Sequence, residues 1–196
     1  MVRILNGGHQ VIANAGALLG IETISGCMDN RLVLGLLRKV ESEEILPHVA
    51  AVPGVSPAEY LDLILRRFSN PIIGDTTRRV AFDGSSRHPG FILPLVRERL
   101  ASGGSVVGLA LVEALWARYC FGETEDGATI QPNDPHWAAL TARAAEAKQA
   151  PRAWLSMAQI YGDLVASPTF ANAFDRWLTH LHAKGTAAVL SAYLES

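Results

Sequence analysis

Charged residues are scarce in this sequence. Asp, Glu, Lys and Arg make up 18% of the 196 residues, against roughly a quarter in an average soluble domain. The net charge is −2 and like charges form no block, so the composition argues against a nucleic acid or an anionic membrane surface as a partner. The shortage of charge also indicates that another domain or subunit covers part of the surface.

Cysteine and long apolar runs are scarce as well. Cys27 and Cys120 are the only cysteines, and each lies close to an apolar helical run, which favours buried thiols in a reducing compartment over a disulfide. The longest apolar run, 106–116, contains Glu113 and is too short to span a bilayer, which takes about 20 residues. No signal-peptide pattern opens the sequence, and a cytoplasmic location is predicted.

Signatures of metal and nucleotide sites are missing too. His180 and His182 are two residues apart, so their rings diverge on a helix and do not suit a shared metal ion. The glycine pairs Gly7-Gly8 and Gly103-Gly104 follow no strand and match neither a Rossmann fingerprint nor a P-loop. The sequence therefore predicts no metal site and contains no Rossmann domain of its own.

Helical periodicity is abundant. Apolar residues recur at helical spacing, and no stretch alternates in the manner of a strand. Ser56, Pro57 and Glu59 supply an N-cap, a proline at the first helical position and a capping box. The sequence predicts an all-α fold that forms one domain, residues 1–196. Helices are predicted over 25–40, 57–68, 91–100, 106–121, 135–148, 151–164, 168–184 and 186–194.

The first twenty residues contain a polar pair ahead of an apolar helical run. If a helix begins near Gly7 and Gly8, Asn6 and His9 project from one side of its first turn, because residues three apart are neighbours on a helix. Such a pair can donate hydrogen bonds to a substrate oxygen. Alternatively, Asn6 is simply the N-cap and His9 fills a polar position beside a loop. The spacing alone leaves both interpretations open.

A second dense stretch, 66–89, places arginines among turn residues. Asp75 can N-cap a short helix that carries Arg78 and Arg79, and a loop around Asp83 leads to Arg87. A guanidinium fixed in this way suits hydroxyl, carboxylate or phosphate groups. The alternative is that these arginines form surface pairs with the two aspartates.

Together the two stretches resemble the C-terminal domain of the long-chain polyol dehydrogenases, the mannitol 2-dehydrogenase and fructuronate reductase group. The second family motif, R-F-x-N-P-x-I-x-D-T-x-R-R, is matched over 67–79, and D-G-S-x-R/K is matched over 83–87. Two separate motifs in the same order argue against chance agreement, and the resemblance covers essentially the whole chain. The opening family motif, K-x-x-x-x-N-G-x-H-x-x-x-A-x-x-G, is matched at Asn6, Gly7, His9, Ala13 and Gly16.

The resemblance implies an all-α, multi-helical C-terminal dehydrogenase domain of the 6-phosphogluconate dehydrogenase C-terminal-like type. In that family a Rossmann domain binds NAD or NADP, and the helical domain holds the sugar alcohol. By resemblance, Asn6 and His9 polarise the substrate oxygen whose carbon exchanges hydride. Arg79 would bind substrate hydroxyls, and Arg87 would lie near the interdomain cleft, facing the cofactor. The implied partners are a polyol or keto-sugar and an N-terminal Rossmann domain or subunit.

One position departs from the family pattern. The family's general base is a lysine five residues before the asparagine, and Met1 stands at that position. A thioether cannot take a proton as hydride leaves. The expectation is that the chain is a fragment, inactive by itself, of a polyol dehydrogenase. The alternative is a non-catalytic carbohydrate-binding or oligomerisation module. Neutral polyols and sugar acids stay open as substrates, the latter requiring a cation such as Arg78 or Arg79.

Overall fold

The structure of the chain, a computed structural model, describes residues 2–50, 54 and 56–196. In that part of the chain the backbone is mainly helical. Extended backbone pairs there only as two isolated bridges, Thr23 with Thr76 and Glu123 with Thr129. The predicted all-α fold is confirmed.

The first half contains seven α-helices within the described residues. A π-helical turn, Glu41–Ile45, and a 3-10 turn, Leu46–His48, continue the third helix, and a 3-10 turn, Pro71–Ile73, precedes the fifth. The helices are α1 (Val2–Leu18), α2 (Ile24–Asp29), α3 (Arg31–Val40), α4 (Pro57–Phe68), α5 (Thr77–Ala81), α6 (Gly84–Phe91) and α7 (Leu93–Ala101).

The second half is built around one buried helix, as the sequence predicted. Apolar residues surround α8 (Val107–Cys120) on all sides, and every residue from 108 to 120 is buried. It packs against α1, α3 and two later helices, α9 (Trp137–Ala147) and α12 (Pro168–Lys184). None of the described helices is long and apolar enough to cross a membrane. The remaining helices are α9 (Trp137–Ala147), α10 (Arg152–Leu155), α11 (Ala158–Tyr161), α12 (Pro168–Lys184) and α13 (Thr186–Glu195), with a 3-10 turn at Leu164–Ala166.

The prediction of one helix over 25–40 is wrong, because Asn30 divides it. The backbone of Asn30 is extended (φ −86°, ψ 116°), and its Oδ1 accepts hydrogen bonds from the amides of Leu32 (3.0 Å) and Val33 (3.2 Å). Asn30 therefore ends α2 and caps α3, which is what a short polar side chain does best. Similarly, the helix predicted over 151–164 consists of short pieces, because the backbone leaves the helical region at Met157 (ψ 85°) and again at Gly162, which adopts a positive φ of 58°.

The stretch before α6 also differs from expectation at two points. Thr76, and not Asp75, caps α5, since its hydroxyl oxygen accepts from the Arg79 amide at 3.2 Å. The predicted loop after Asp83 is the first turn of α6, with Asp83 itself in the left-handed region (φ 60°). The capping box of Ser56 and Glu59 is confirmed, with Glu59 N donating to the Ser56 hydroxyl at 3.0 Å.

Candidate functional site

Asn6 and His9 lie inside α1. The helix includes Val2, so Asn6 is in the second turn and is not an N-cap, and that interpretation is wrong. Both side chains are half-buried, and their spacing of three places them on adjacent parts of one face.

Two glycines allow α1 to approach its neighbours closely. A Cβ at Gly8 would lie 3.0 Å from Oε1 of Glu41, and one at Gly16 would lie 2.3 Å from the Cys27 Sγ. A larger residue at either position would push α1 away from the helices that support it. The close approaches at Gly8 and Gly16 therefore set the depth at which Asn6 and His9 lie.

His9 is held in its neutral form. Its ring stacks on Phe68, with centroids 4.5 Å apart and an interplanar angle of 18°. Burial lowers the pKa of His9 to about 4, assisted by the charges of Arg79, Arg87 and Arg67 and opposed by that of Asp75. At neutral pH the ring has one N–H donor and one acceptor nitrogen, which suits a hydroxyl or carbonyl oxygen.

A cavity of about 100 Å³ opens beside this ring. Its wall combines the imidazole and the apolar ring on which it stacks with a carboxylate and guanidinium groups. Such a mixture of one aromatic surface and several directional polar groups is typical of a small-ligand site. Its lining residues are Leu5, His9, Ile24, Ser25, Arg67, Phe68, Asn70, Ile73, Asp75 and Arg79.

Arg79 reaches the cavity in a fixed orientation. Its Nε donates to Asp75 Oδ1 at 2.5 Å, and its Nη2 donates to Asp75 Oδ2. This pairing lowers the pKa of Asp75 and raises that of Arg79. The proposed surface pair of these two residues therefore exists, and it leaves further N–H groups of the guanidinium for a ligand.

Arg78 and Arg87 differ in what they bind. The Arg78 guanidinium donates to the carbonyls of Gln131 (3.0 Å) and Pro132 (2.8 Å), which ties α5 to the loop before α9. Arg87 is half-buried on α6, and the ion pairs found among the described residues do not include it. Both arginines line an open groove of about 400 Å³ with Thr76, Arg79, Phe82 and Asn133.

The structure thus brings His9 and Arg79 to one cavity, and Arg79 and Arg87 to one groove. Asn6 is one helical turn from His9, but its side chain is not in the cavity wall. Met1, which the family pattern places at the lysine position, lies outside the described residues. No role in the site was predicted for Phe68, the second residue of the motif matched over 67–79. It is buried, yet it also forms the surface on which the imidazole stacks.

Comparison with known proteins agrees with these motifs. Residues 1–182 match the family model for the mannitol dehydrogenase C-terminal domain. Mannitol 2-dehydrogenase of Cereibacter sphaeroides is 50% identical over 193 residues, which are 98% of this chain and 40% of that protein. The corresponding enzyme of Pyrenophora tritici-repentis is 32% identical over 193 residues, or 98% of this chain and 34% of that protein.

Two solved structures of polyol dehydrogenases contain a part with the same fold as this chain. A ternary complex of Pseudomonas fluorescens mannitol 2-dehydrogenase with NAD and D-mannitol superposes with a TM-score of 0.94 at 29% identity, covering 98% of this chain and 39% of that one. Substrate-free D-sorbitol dehydrogenase, at 23% identity, shares the fold (TM-score 0.86; 96% of this chain, 39% of that one).

These relatives are much longer than the sequence in hand. The chain spans 40% of the Cereibacter sphaeroides enzyme and 39% of the Pseudomonas fluorescens structure. Within that span the match runs nearly from end to end, at 98% of the chain in both. The chain therefore belongs to the mannitol dehydrogenase C-terminal domain family.

Proposed function

We propose that this chain is the substrate-binding and catalytic domain of an NAD(P)-dependent oxidoreductase that interconverts a sugar alcohol and a ketose. It works with a nicotinamide-binding Rossmann domain, in the same polypeptide or in a second one. The observation that carries the proposal is the neutral His9 ring beside the Asp75–Arg79 pair in one small cavity. The solved relative bound to NAD and D-mannitol supports the same chemistry.

In this proposal the chain binds and polarises the reacting oxygen. As the polyol C–H bond is oxidised, its hydroxyl oxygen gains negative charge while the proton leaves. The N–H of His9 donates a hydrogen bond to that oxygen from the cavity wall, and by resemblance the amide of Asn6, one turn earlier on α1, donates a second. Arg79, held by Asp75, binds neighbouring hydroxyls and orients the carbon chain.

The cofactor, NAD or NADP, accepts the hydride when it is bound. Of this chain's residues, Arg87 fits such a group best, because its guanidinium lines a groove and is absent from the ion pairs of the described residues. A half-buried cation of this kind suits a phosphate-bearing ligand.

The arginines of α5 suit a neutral polyol better than a sugar acid. A sugar carboxylate would need an uncommitted cation, and these two arginines are both engaged, so such a substrate would have to use Arg67 of the cavity wall. Arg78 binds two backbone carbonyls, and Arg79 is neutralised by Asp75. Hydroxyl groups, in contrast, can use the remaining N–H donors without a net charge.

A chimera tests the proposal. The part of the Cereibacter sphaeroides enzyme that this chain does not cover would be fused ahead of residue 1, with either Met1 or Met1→Lys. We expect mannitol-dependent NADH formation with the lysine version. The methionine version should be slower by roughly 10²–10⁴-fold, the usual contribution of a general base. The chain by itself should form no NADH.

Single substitutions locate the site within that chimera. Asn6→Ala and His9→Ala should each lower kcat by roughly 10²–10³-fold, as loss of an oxyanion donor does. His136→Ala, at an exposed histidine elsewhere, is the matched control and should leave kcat unchanged. A folded lysine chimera that turns over equally well without Asn6 and His9 would overturn the assignment.

A second function is favoured by one observation, the methionine at the lysine position. A chain that kept the cavity and lost the base would be a carbohydrate-binding module. Calorimetry of the isolated chain with mannitol and fructose distinguishes the two. Saturable binding that Arg79→Ala abolishes, combined with an inactive Met1→Lys chimera, would favour the binding module.

A further inference from the structure

Helix α6 carries Arg87 but has little apolar surface to hold it in place. Of its eight residues, only Gly84 and His88 are buried. Burial of apolar side chains is what normally fixes a helix on a core. The position of α6, and with it that of Arg87, must therefore depend on polar contacts.

One set of contacts holds the beginning of the helix. Asp134 accepts hydrogen bonds from the backbone amide and the hydroxyl of Ser85, both at 2.8 Å. At Gly84 the backbone rests directly on Trp116, because a Cβ there would lie 2.4 Å from the indole Nε1. These contacts fix the first two residues of the helix but leave Arg87, at the end of the first turn, to other groups.

His88 supplies the second set from the interior of the protein. Its ring is fully buried and stacks on Trp116, with centroids 4.2 Å apart and an interplanar angle of 13°. Nδ1 lies 2.7 Å from Oε1 of Glu113, and Nε2 lies 3.4 Å from Nδ2 of Asn14. A carboxylate can only accept, so Nδ1 carries the hydrogen, and in the neutral ring Nε2 accepts from the Asn14 amide.

Glu113 is itself held firmly in the middle of α8. Its second oxygen accepts a hydrogen bond from the Tyr161 hydroxyl at 2.6 Å, and that hydroxyl accepts from the Trp154 indole at 2.5 Å. All of these groups are buried. In a buried network each member restrains the next, so His88 is tied to the buried helix α8.

Asn14 ties the same histidine to the helix of the candidate site. Asn6, Gln10 and Asn14 are spaced by four and share one face of α1. Gln10 Nε2 approaches the Val80 carbonyl of α5 at 3.4 Å, and the Asn14 amide approaches His88 at the same distance. The face of α1 that presents Asn6 is therefore docked on α5 and α6 through amide groups.

We propose that His88, held by Glu113 and Asn14, is a positioning residue that fixes Arg87 of α6 relative to Asn6 and His9 of α1. The inference rests on the proposed function for the role of those three residues. His88 itself is fully buried, so it acts on the ligand through Arg87 and not by contact.

The lysine chimera described above provides the functional test. His88→Phe keeps the ring on Trp116 and removes both nitrogens. It should raise the KM for NAD roughly tenfold, as loss of a hydrogen bond to a charged group does, and leave the KM for mannitol unchanged. His88→Asn, which keeps an N–H near the position of Nδ1, should restore part of the affinity for NAD.

A double-mutant cycle with Arg87 separates positioning from mere stability. In an Arg87→Ala background His88→Phe should no longer affect the KM for NAD, because the residue it positions is gone. Leu178→Ala, at a buried position of α12, is the control for general destabilisation and should leave that KM unchanged. Additive effects of His88→Phe and Arg87→Ala would overturn the proposal.

A measurement on the isolated chain tests the positioning role of His88 separately from the cofactor role of Arg87. Side-chain ¹⁵N relaxation of the Arg87 Nε–H should show increased motion in His88→Phe and not in Leu178→Ala. If Arg87→Ala leaves the KM for NAD unchanged, the cofactor role of Arg87 fails, while the relaxation data still decide on positioning. An Arg87 signal that is identical in wild type and His88→Phe would overturn the positioning role.

Discussion

His9 presents one hydrogen-bond donor and one acceptor at neutral pH because its surroundings keep it uncharged. Burial and the arginines around it lower its pKa from 6.5 to about 4. Between these values the unfolded chain binds more protons than the folded chain. The contribution of His9 to stability is therefore fully present above pH 6.5 and is lost as the pH falls through about 4.

We expect the ring resonance of His9 to titrate with a midpoint near pH 4 in an NMR experiment. The resonance is identified by its absence from His9→Gln, which also distinguishes it from His182, whose pKa is lowered to about 4 as well. A midpoint near 6.5 would mean that the ring is solvated and charged at mildly acidic pH, which would contradict the buried, neutral ring on which the proposed function rests.

Glu41 is a buried carboxyl that lacks a hydrogen-bond partner among the described residues. It is fully buried, neither of its oxygens is bonded, and burial raises its pKa well above the usual value of 4.5. The folded chain therefore holds this proton more tightly than the unfolded chain does. The contribution of Glu41 to stability is complete below pH 4.5 and is lost as the pH rises toward its folded pKa.

Replacement of this carboxyl by an apolar side chain of similar length should stabilise the protein. Glu41→Met is expected to raise the free energy of unfolding at pH 7 by about 1–3 kcal/mol, the cost of an unsatisfied buried polar group. The gain should shrink below pH 4.5. Glu43→Met, at an exposed position of the same π-helical turn, should stay within about 0.5 kcal/mol of wild type. Urea denaturation at pH 7 and below pH 4.5 measures the free energy of unfolding of both variants and of the wild type. If Glu41→Met destabilises the protein and Glu43→Met does not, Glu41 has a partner that was not recognised.

The sequence predicted the polar groups of the site better than those of the core. His9 and Arg79 stand in motifs, and Asp75, the partner of Arg79, lies four residues before it in the same motif. Glu44, in contrast, stands in the polar stretch 41–44, yet its carboxylate accepts hydrogen bonds from the amides of Gly108 and Leu109, both at 2.8 Å. The first of these partners is 64 residues away along the chain, and no local sequence pattern predicts such a contact.

At the scale of elements, Asn30 serves two helices at once. Its backbone ends α2 and its side chain caps α3. Asn30→Ala should lower the free energy of unfolding by about 0.5–2 kcal/mol, the usual effect of removing an N-cap. Asp62→Ala, in the exposed middle of α4, is the control and should change it by less than about 0.5 kcal/mol. Thermal unfolding followed by circular dichroism compares the two variants, and equal effects would show that Asn30 does not act as a cap.

Helix ends explain which elements the sequence could predict. The start of α4 was predicted correctly, because Ser56 and Glu59 cap it from within four residues. The start of α6 was taken for a loop, since its amide partner, Asp134, approaches from a loop 49 residues further along the chain. A cap from a distant segment requires the tertiary fold. A cap from the same segment can be read where a capping box marks it, as at Ser56, whereas the local caps Asn30 and Thr76 were not predicted.

At the scale of the whole molecule, the buried residues form one core. The apolar cluster runs from Ile4 on α1 to Tyr193 on α13, and α8 contacts helices from both halves of the chain. Removal of either half would expose apolar faces of α8 to water, at a cost proportional to the area exposed. We therefore propose that residues 1–196 form a single domain that unfolds as one cooperative unit.

The distribution of tryptophan makes this proposal testable without any substitution. Trp116, Trp137, Trp154 and Trp177 all belong to the second half, so their fluorescence reports on that half, while far-UV circular dichroism reports on all helices. If the halves unfold together, both signals follow one urea transition with the same midpoint and the same slope, because the same surface is exposed in a single step. Loss of helix at a lower urea concentration than the change in fluorescence would divide the chain into two units, with α1 to α7 as the weaker one. In that case the candidate site would lie on the less stable unit, and its order would depend on a partner domain.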